Sequence, residues 1–225
     1  MLPAMTRSLS RRQLLITAGA TGLGAAYAGR GLVSPDPAAA GCVLQREVTE
    51  GPYYLDLDLV RRNVRGDRRG IPLTLRFAVV EARTCRVIPN AAVEIWHADA
   101  TGAYSGVDGN GDTWLRGIQR TNARGQVRFE TIMPGWYPGR TPHIHMKVFV
   151  SGDEIHTGQV FFPPAVMRSV YGHGRYAARG SVSGANAADG IYRQAGARAV
   201  LGMRRKGDSA SDGFTGSLTI GVDPS

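Results

Sequence analysis

From about residue 70 onward the chain is a series of short apolar runs separated by Gly, Pro, Asn and Asp. The runs fall at 73–81, 92–97, 117–121, 126–131, 143–150, 157–162 and 217–222, each of strand length and mostly bounded by turn formers. Two of them alternate cleanly. Val127, Phe129 and Thr131 oppose Arg128 and Glu130, while Ile144, Met146, Val148 and Val150 oppose His143, His145, Lys147 and Phe149, a pattern that predicts strands with one face in a core. Successive strand side chains point to opposite faces, so His143 and His145 share a side, close enough to bind one ion. No stretch carries the period of a long amphipathic helix, which removes βαβ architectures and leaves a sandwich or barrel of antiparallel strands. Residues 163–215, rich in Gly, Ala, Ser and Arg without a period, predict long loops and a short helix ahead of a last strand from Ser217.

Composition narrows the picture. With 225 residues, 43% hydrophobic and 20% charged, the chain suits one globular domain and lies far from a disordered composition. Its 30 Gly and 12 Pro are too many for a helix bundle. The net charge of +9 comes from arginine, Lys147 and Lys206 being the only lysines. Arg61, Arg62, Arg65, Arg68 and Arg69 form the one dense cluster; no aromatic stripe accompanies it, so it reads as a solvated loop, not a nucleic-acid surface.

The N-terminus is a separate matter. Ser10-Arg11-Arg12-Gln13-Leu14-Leu15 precedes a weakly apolar Gly/Ala-rich segment that ends in Ala26-Tyr27-Ala28. It looks like a twin-arginine export signal over residues 1–28, followed by a linker at 29–44 and the folded domain at 45–225. Periplasmic or extracellular residence is the expectation. No run is long and apolar enough for a stable membrane span. An oxidising compartment would pair Cys42 with Cys85; lipid attachment at Cys42 is the other reading.

The densest cluster of unusual residues is Pro134-Gly135-Trp136-Tyr137-Pro138-Gly139-Arg140-Thr141-Pro142-His143-Ile144-His145. A His-x-His pair alone is weak evidence and leaves Zn, Cu, Fe and Ni open. A tyrosine beside it changes the choice of metal. A phenol with a pKa near ~10 is held as phenolate at neutral pH only by a strongly Lewis-acidic cation, a part that a hard ferric ion plays well.

These residues, together with Thr49-Glu50-Gly51-Pro52-Tyr53-Tyr54, Val93-Glu94-Ile95-Trp96-His97-Ala98-Asp99-Ala100, Gly102-Ala103-Tyr104-Ser105, Trp114-Leu115-Arg116-Gly117 and Thr157-Gly158-Gln159-Val160-Phe161-Phe162, resemble the intradiol ring-cleavage dioxygenases, the group of catechol 1,2-dioxygenase and protocatechuate 3,4-dioxygenase. The resemblance runs from about Thr49 to Phe162 and is closest to short, secreted members that lack the helical dimerisation segment. It implies an all-β fold, an antiparallel β-sandwich with long loops. It implies Fe(III) bound by Tyr104, Tyr137, His143 and His145, with Tyr137 the ligand that departs when substrate binds. Arg140 and Gln159 match residues that line the substrate, Arg140 stabilising charge that develops on the ring and Gln159 orienting it. Where many members read Arg-Pro-Ala-His, this chain reads Arg140-Thr141-Pro142-His143. The implied reaction is cleavage by O2 of a catechol-type ring between its two hydroxyl-bearing carbons, giving a cis,cis-muconate-type diacid.

Neighbouring residues carry plainer expectations. His97 reads as a hydrogen-bonded structural histidine, and His156 and His173 as surface loop residues. Tyr53 and Tyr54 either line the pocket mouth or pack the N-terminal segment. Asp153 and Glu154, a carboxylate source for a facial triad, fall in an expected Gly-containing turn. The rival readings are a non-enzymatic transthyretin-like binding module and a Zn or Cu site on the same fold. Which catechol derivative is cleaved, and whether the chain is monomer or homodimer, stay open.

Overall fold

The computed structural model describes residues 42–107, 109, 111–172, 174–178 and 186–225. The expected signal at 1–28, most of the linker and His173 lie outside the described residues. Among the described residues eight strands form: β1 (Pro72–Glu81), β2 (Ala92–Trp96), β3 (Arg116–Arg120), β4 (Gln126–Ile132), β5 (His143–Val150), β6 (Asp153–Phe161), β7 (Gly202–Arg205) and β8 (Phe214–Val222). Among the described residues three short α-helices, α1 (Pro164–Val170), α2 (Gly174–Ala177) and α3 (Gly190–Ala195), fall between β6 and β7, where one was expected. None of the described helices is long and apolar enough to cross a membrane.

The strands make two four-stranded sheets, ordered β4-β1-β8-β7 and β3-β2-β5-β6. Their inner faces meet in one core, to which β1 contributes Leu73, Leu75, Phe77 and Val79, β4 Val127 and Phe129, and β5 Ile144, Met146 and Val148. The sandwich was expected, and every strand pairing is antiparallel but one: β1 and β8 run parallel, Leu73 beside Phe214 through Glu81 beside Val222. Side-chain alternation is the same in both orientations, so no period in the sequence could report this.

The N-terminal segment is tied down twice. Cys42 is bonded to Cys85, and Leu44 bridges Gly221 beside β8. A cross-link of this span restricts the unfolded chain by about 4 kcal/mol in the chain-entropy picture. From there residues 45–54 run onto the outer face of the second sheet, with Val48 N–H donating to Thr157 O at 3.1 Å.

That cover explains why β5 is buried on both sides along His143–Val148, although alternation predicted only one buried face. Two expectations about single histidines part here. His97 is structural, its ring nitrogens lying 2.7 Å from Ala98 O and 2.6 Å from Thr131 Oγ1. His156, expected in a surface loop, is 1% exposed within β6, because β6 starts four residues earlier than the pattern suggested and carries it under residues 44–47. Burial pushes the His97 ring from 6.5 down to about 4. The unfolded chain therefore takes up a proton that the folded one refuses as pH falls through that window, and stability is lost. Against His97→Gln, the stability advantage of the native chain is expected to be full above pH 6.5 and to shrink toward pH 4; denaturant titrations at several pH values measure it.

Candidate functional site

Strand register sets the two histidines. Trp96 pairs with His145 across β2 and β5, and His145 with Gln159 and His143 with Phe161 across β5 and β6, so these side chains share the outer face of the second sheet. His143 Nδ1 donates to Thr141 O at 2.7 Å, which fixes its tautomer and leaves the Nε2 lone pair free. His145 lies flat against Trp96, ring centroids 4.9 Å apart at 12°, and its Nδ1 is buried with no hydrogen-bond partner.

The tyrosines arrive from loops. Tyr137-Pro138-Gly139-Arg140 is a turn closed by Arg140 N–H to Tyr137 O at 3.1 Å. Proline supplies its second position and Gly139, at φ +83°, its third, the requirements of a type II turn. The turn holds Arg140 Nη1 3.4 Å from Tyr137 Oη. Tyr104 follows a loop in which the Asp99 carboxylate accepts from Thr101 N, Thr101 Oγ1 and Ala103 N at 2.8, 2.7 and 3.1 Å.

The four side chains meet. Tyr104 Oη lies 3.1 Å from His145 Nε2 and 3.5 Å from His143 Nε2. Tyr137 Oη lies 3.2 Å from His143 Nε2, and the two Nε2 atoms are 3.1 Å apart. Donors bonded to one ion at about 2.0–2.2 Å sit roughly 3 Å from each other, so the spacing fits a shared cation. Among the described residues no cluster of three or more His, Cys, Asp or Glu side chains could hold a metal; in this set tyrosine supplies half the donors.

Burial shapes their charge states. It pushes His143 down to about 3, helped by the nearby Arg140 cation, and lowers His145 well below its ordinary value, with His143 and Arg140 adding to the effect. Both rings are neutral lone-pair donors at neutral pH. Burial also raises the Tyr104 phenol well above 10 and that of Tyr137 less far, Arg140 opposing the rise. Without a cation among them these phenols keep their protons.

Arg140 is held on two sides. Its Nε donates to Asp189 Oδ2 at 2.8 Å, and its Nη2 to Gln159 Oε1. Gln159 Nε2 in turn donates to Thr49 O at 2.9 Å. Asp189 Oδ2 also accepts from Thr141 N at 2.9 Å, while Oδ1 caps α3 through Ile191 N and Tyr192 N.

The segment 49–54 closes the site. Gly51, at φ +76°, runs so near His145 that a Cβ there would lie 3.2 Å from Cε1. Tyr53 stacks on Tyr104, centroids 4.4 Å apart, and presents its edge to Tyr137, so it belongs to the site. Tyr54 packs on Trp96 instead, donates to Glu94 Oε2 at 3.2 Å and lies under Lys147 Nζ at 4.0 Å. Lys147 pairs with Glu50 at 2.7 Å and Glu154 at 2.8 Å, so Glu154 anchors the cover and is no part of the donor set.

All four expected ligand positions, Arg140 and Gln159 thus converge. Sequence reasoning left the place of Tyr53 open and missed Asp189, for which an Asp ahead of the α3 segment was the available signal. A groove of about 890 Å³ on the outer face of β1, β4 and β8, lined by Arg62, Arg76, Arg120, Arg128 and Arg198, contains none of these groups.

Comparisons with known proteins agree with the geometry. A family profile described as "Dioxygenase" matches residues 49–167. Catechol 1,2-dioxygenase of Acinetobacter baylyi is 34% identical over 96 residues, 39% of this chain and 30% of that protein. The protocatechuate 3,4-dioxygenase beta chain of Burkholderia cepacia is 35% identical over 128 residues, 48% of this chain and 52% of that one. The matched stretch spans about half or less of these curated relatives. Among solved structures, an intradiol ring-cleavage dioxygenase from Tetranychus urticae has a TM-score of 0.77 at 35% identity, covering 81% of this chain and 96% of that one. The dioxygenase domain of a carbohydrate-binding fusion protein from Streptomyces sp. SirexAA-E has a TM-score of 0.63 at 27% identity, covering 81% and 99%.

Proposed function

Since the chain belongs to the intradiol ring-cleavage dioxygenases, we propose that it uses O2 to cleave a catechol-type ring between the hydroxyl-bearing carbons, giving a cis,cis-muconate-type diacid, with Fe(III) held by Tyr104, Tyr137, His143 and His145. The observation that carries this reading is the convergence of two phenol oxygens and two Nε2 atoms at 3.1–3.5 Å. Bound there, Fe(III) supplies the Lewis acidity that keeps two phenols ionised and chelates a diol, and the electron-accepting centre that opens the ring to dioxygen.

The residues then divide the remaining work. A catechol that binds as its dianion gives up two protons: the Tyr137 phenolate would take one at Oη, the half-buried phenol of the pair being the one with room to move, and solvent would take the other as the substrate enters. Arg140, fixed by Asp189 and Gln159, holds a planar cation beside that oxygen and stabilises negative charge that develops on the ring carbons. Gln159 spends one amide end on Arg140 and the other on Thr49 O, which orients the guanidinium. Tyr53, stacked on Tyr104, walls one side, and the 49–54 cover keeps bulk water from the imidazoles.

Metal analysis with an oxygen-uptake screen over catechol, protocatechuate, hydroxyquinol and chlorinated catechols tests the proposal. The expected result is one iron per chain, a reddish protein from tyrosinate-to-iron absorption, and uptake with at least one diol. A colourless protein with stoichiometric zinc and no uptake overturns it. Export by the twin-arginine route to the periplasm or exterior belongs to the same proposal; the Cys42–Cys85 bond supports an oxidising destination, and cell fractionation checks it.

A further inference from the structure

We propose that Arg116 is the positioning residue for Tyr104: its buried guanidinium locks the turn at residues 101–106 against the histidine strand. The inference rests on the proposed metal site only in naming what Tyr104 is positioned for.

The two histidines need no such device, because backbone ladders on both sides of β5 set their register. Tyr104 belongs to no strand. One side of its turn is fixed by Asp99, whose carboxylate gathers Thr101 and Ala103. The other side leads through Ser105 to β3, and there Arg116 takes hold.

Arg116 pairs with Trp96, which pairs with His145. Arg116, Trp96, His145 and Gln159 therefore form one row across the second sheet, with the arginine at the end nearest the turn. Its Nε donates to Ser105 Oγ at 2.9 Å and its Nη2 to Ser105 O at 2.8 Å. Ser105 Oγ donates onward to Trp114 O at 2.6 Å, and Arg61 Nε holds Arg116 O at 2.8 Å. One rigid plane thus grips both oxygens of the residue next to Tyr104. Arg116 and Ser105 are 3% and 1% exposed, so water cannot replace these bonds.

The choice of a cation for this task is informative. Among the described residues no carboxylate forms an ion pair with Arg116, and its buried Nη1 has no hydrogen-bond partner. Glu94 favours the cation only from a distance, without a direct ion pair, so burial of the guanidinium is costly, and a neutral amide could have gripped a serine at lower cost. What the guanidinium adds over an amide is a planar fork that bonds the side-chain and main-chain oxygens of Ser105 together, the residue that follows Tyr104. Lysine would keep the charge but has no planar fork to bond both oxygens.

Arg116→Lys, Arg116→Gln and Ser105→Ala separate these contributions. In metal-free protein, hydrogen exchange of the amides at 101–106 is expected to quicken about tenfold in both Arg116 variants while the β5 amides keep their protection. In iron-loaded protein, both are expected to bind iron about 10- to 100-fold more weakly, with a shifted and weaker tyrosinate band. Ser105→Ala, which keeps the charge and one of the two bonds, is expected to fall between them and the native protein. Native exchange rates at 101–106 together with a native band in either Arg116 variant overturn the proposal. If both Arg116 variants fail to fold, Ser105→Ala decides alone, and its native behaviour in both readouts is equally fatal. Should the native protein itself hold no iron, the functional reading fails while the metal-free exchange comparison still settles the role of Arg116.

Discussion

His145→Gln is expected to remove bound metal and, with it, ring cleavage, while leaving a folded protein. Residues that only orient a ligand typically cost 10- to 100-fold in metal affinity or activity, so loss of a ligand sets at least about 10²-fold as the floor. Glutamine fills much of the imidazole volume under Gly51 and against Trp96, where a smaller residue would leave a cavity. Its amide is a weak donor to a ferric ion and cannot offer a nitrogen lone pair. Iron per chain, visible absorbance and oxygen uptake should therefore collapse together while circular dichroism stays native. Retention of both colour and uptake would contradict the ligand assignment.

The second large effect is expected at a residue that touches no metal. Asp189, its side chain 1% exposed, accepts from Arg140 Nε, Thr141 N, Ile191 N and Tyr192 N. Asp189→Ala strands all four donors, leaves a largely buried guanidinium without its counter-charge and removes the α3 cap. Breaking a buried pair from one side costs about 3–5 kcal/mol, and loss of a cap about 1 kcal/mol. At ~2–4 °C per kcal/mol for a domain of this size, thermal unfolding should fall by roughly 10 °C or more. Oxygen uptake should fall as well, because Arg140 loses the anchor that aims it, yet the iron content of the folded fraction should hold. Asp189→Asn, which keeps acceptors but not charge, should fall between. A native melting temperature in Asp189→Ala would show that the contact carries no energy.

Legibility in the sequence followed physical range. Alternation along β4 and β5 gave both the strands and the shared face of His143 and His145, because a two-residue period is a local property. The start of β6 was lost because Asp153-Glu154 reads as turn beside Gly152, although both residues pair with β5. Strand β7 was invisible: Gly202-Met203-Arg204-Arg205 carries no alternation, and its place comes from backbone pairing with β8. Tyr104 and Tyr137 come from loops, where periodicity says nothing; Tyr137 stands out by its Pro/Gly-rich turn beside the two histidines, whereas Tyr104 is singled out by the family resemblance alone. Arg116 stood within a motif but looked like any other arginine of this Arg-rich chain, and its grip on Ser105 is a tertiary fact. The link from Asp189 to Arg140 is tertiary too.

The parallel pairing of β1 with β8 bears on the order in which the molecule can be made. Strand β8 does not trim an edge: it is inserted between β1 and β7, and Leu73 meets its neighbour Phe214 only after nearly all the domain has been synthesised. During translation β1 must wait with one side unsatisfied, a hazard for such late, long-range pairings. Leu44 and Gln45 lie against Gly221 on the same strand, so the cover over the histidines also cannot settle until β8 has docked. A nascent chain therefore acquires its closed metal pocket late, and a ribosome-stalled fragment ending before Phe214 should be protease-sensitive along β1 and leave the imidazoles open to solvent.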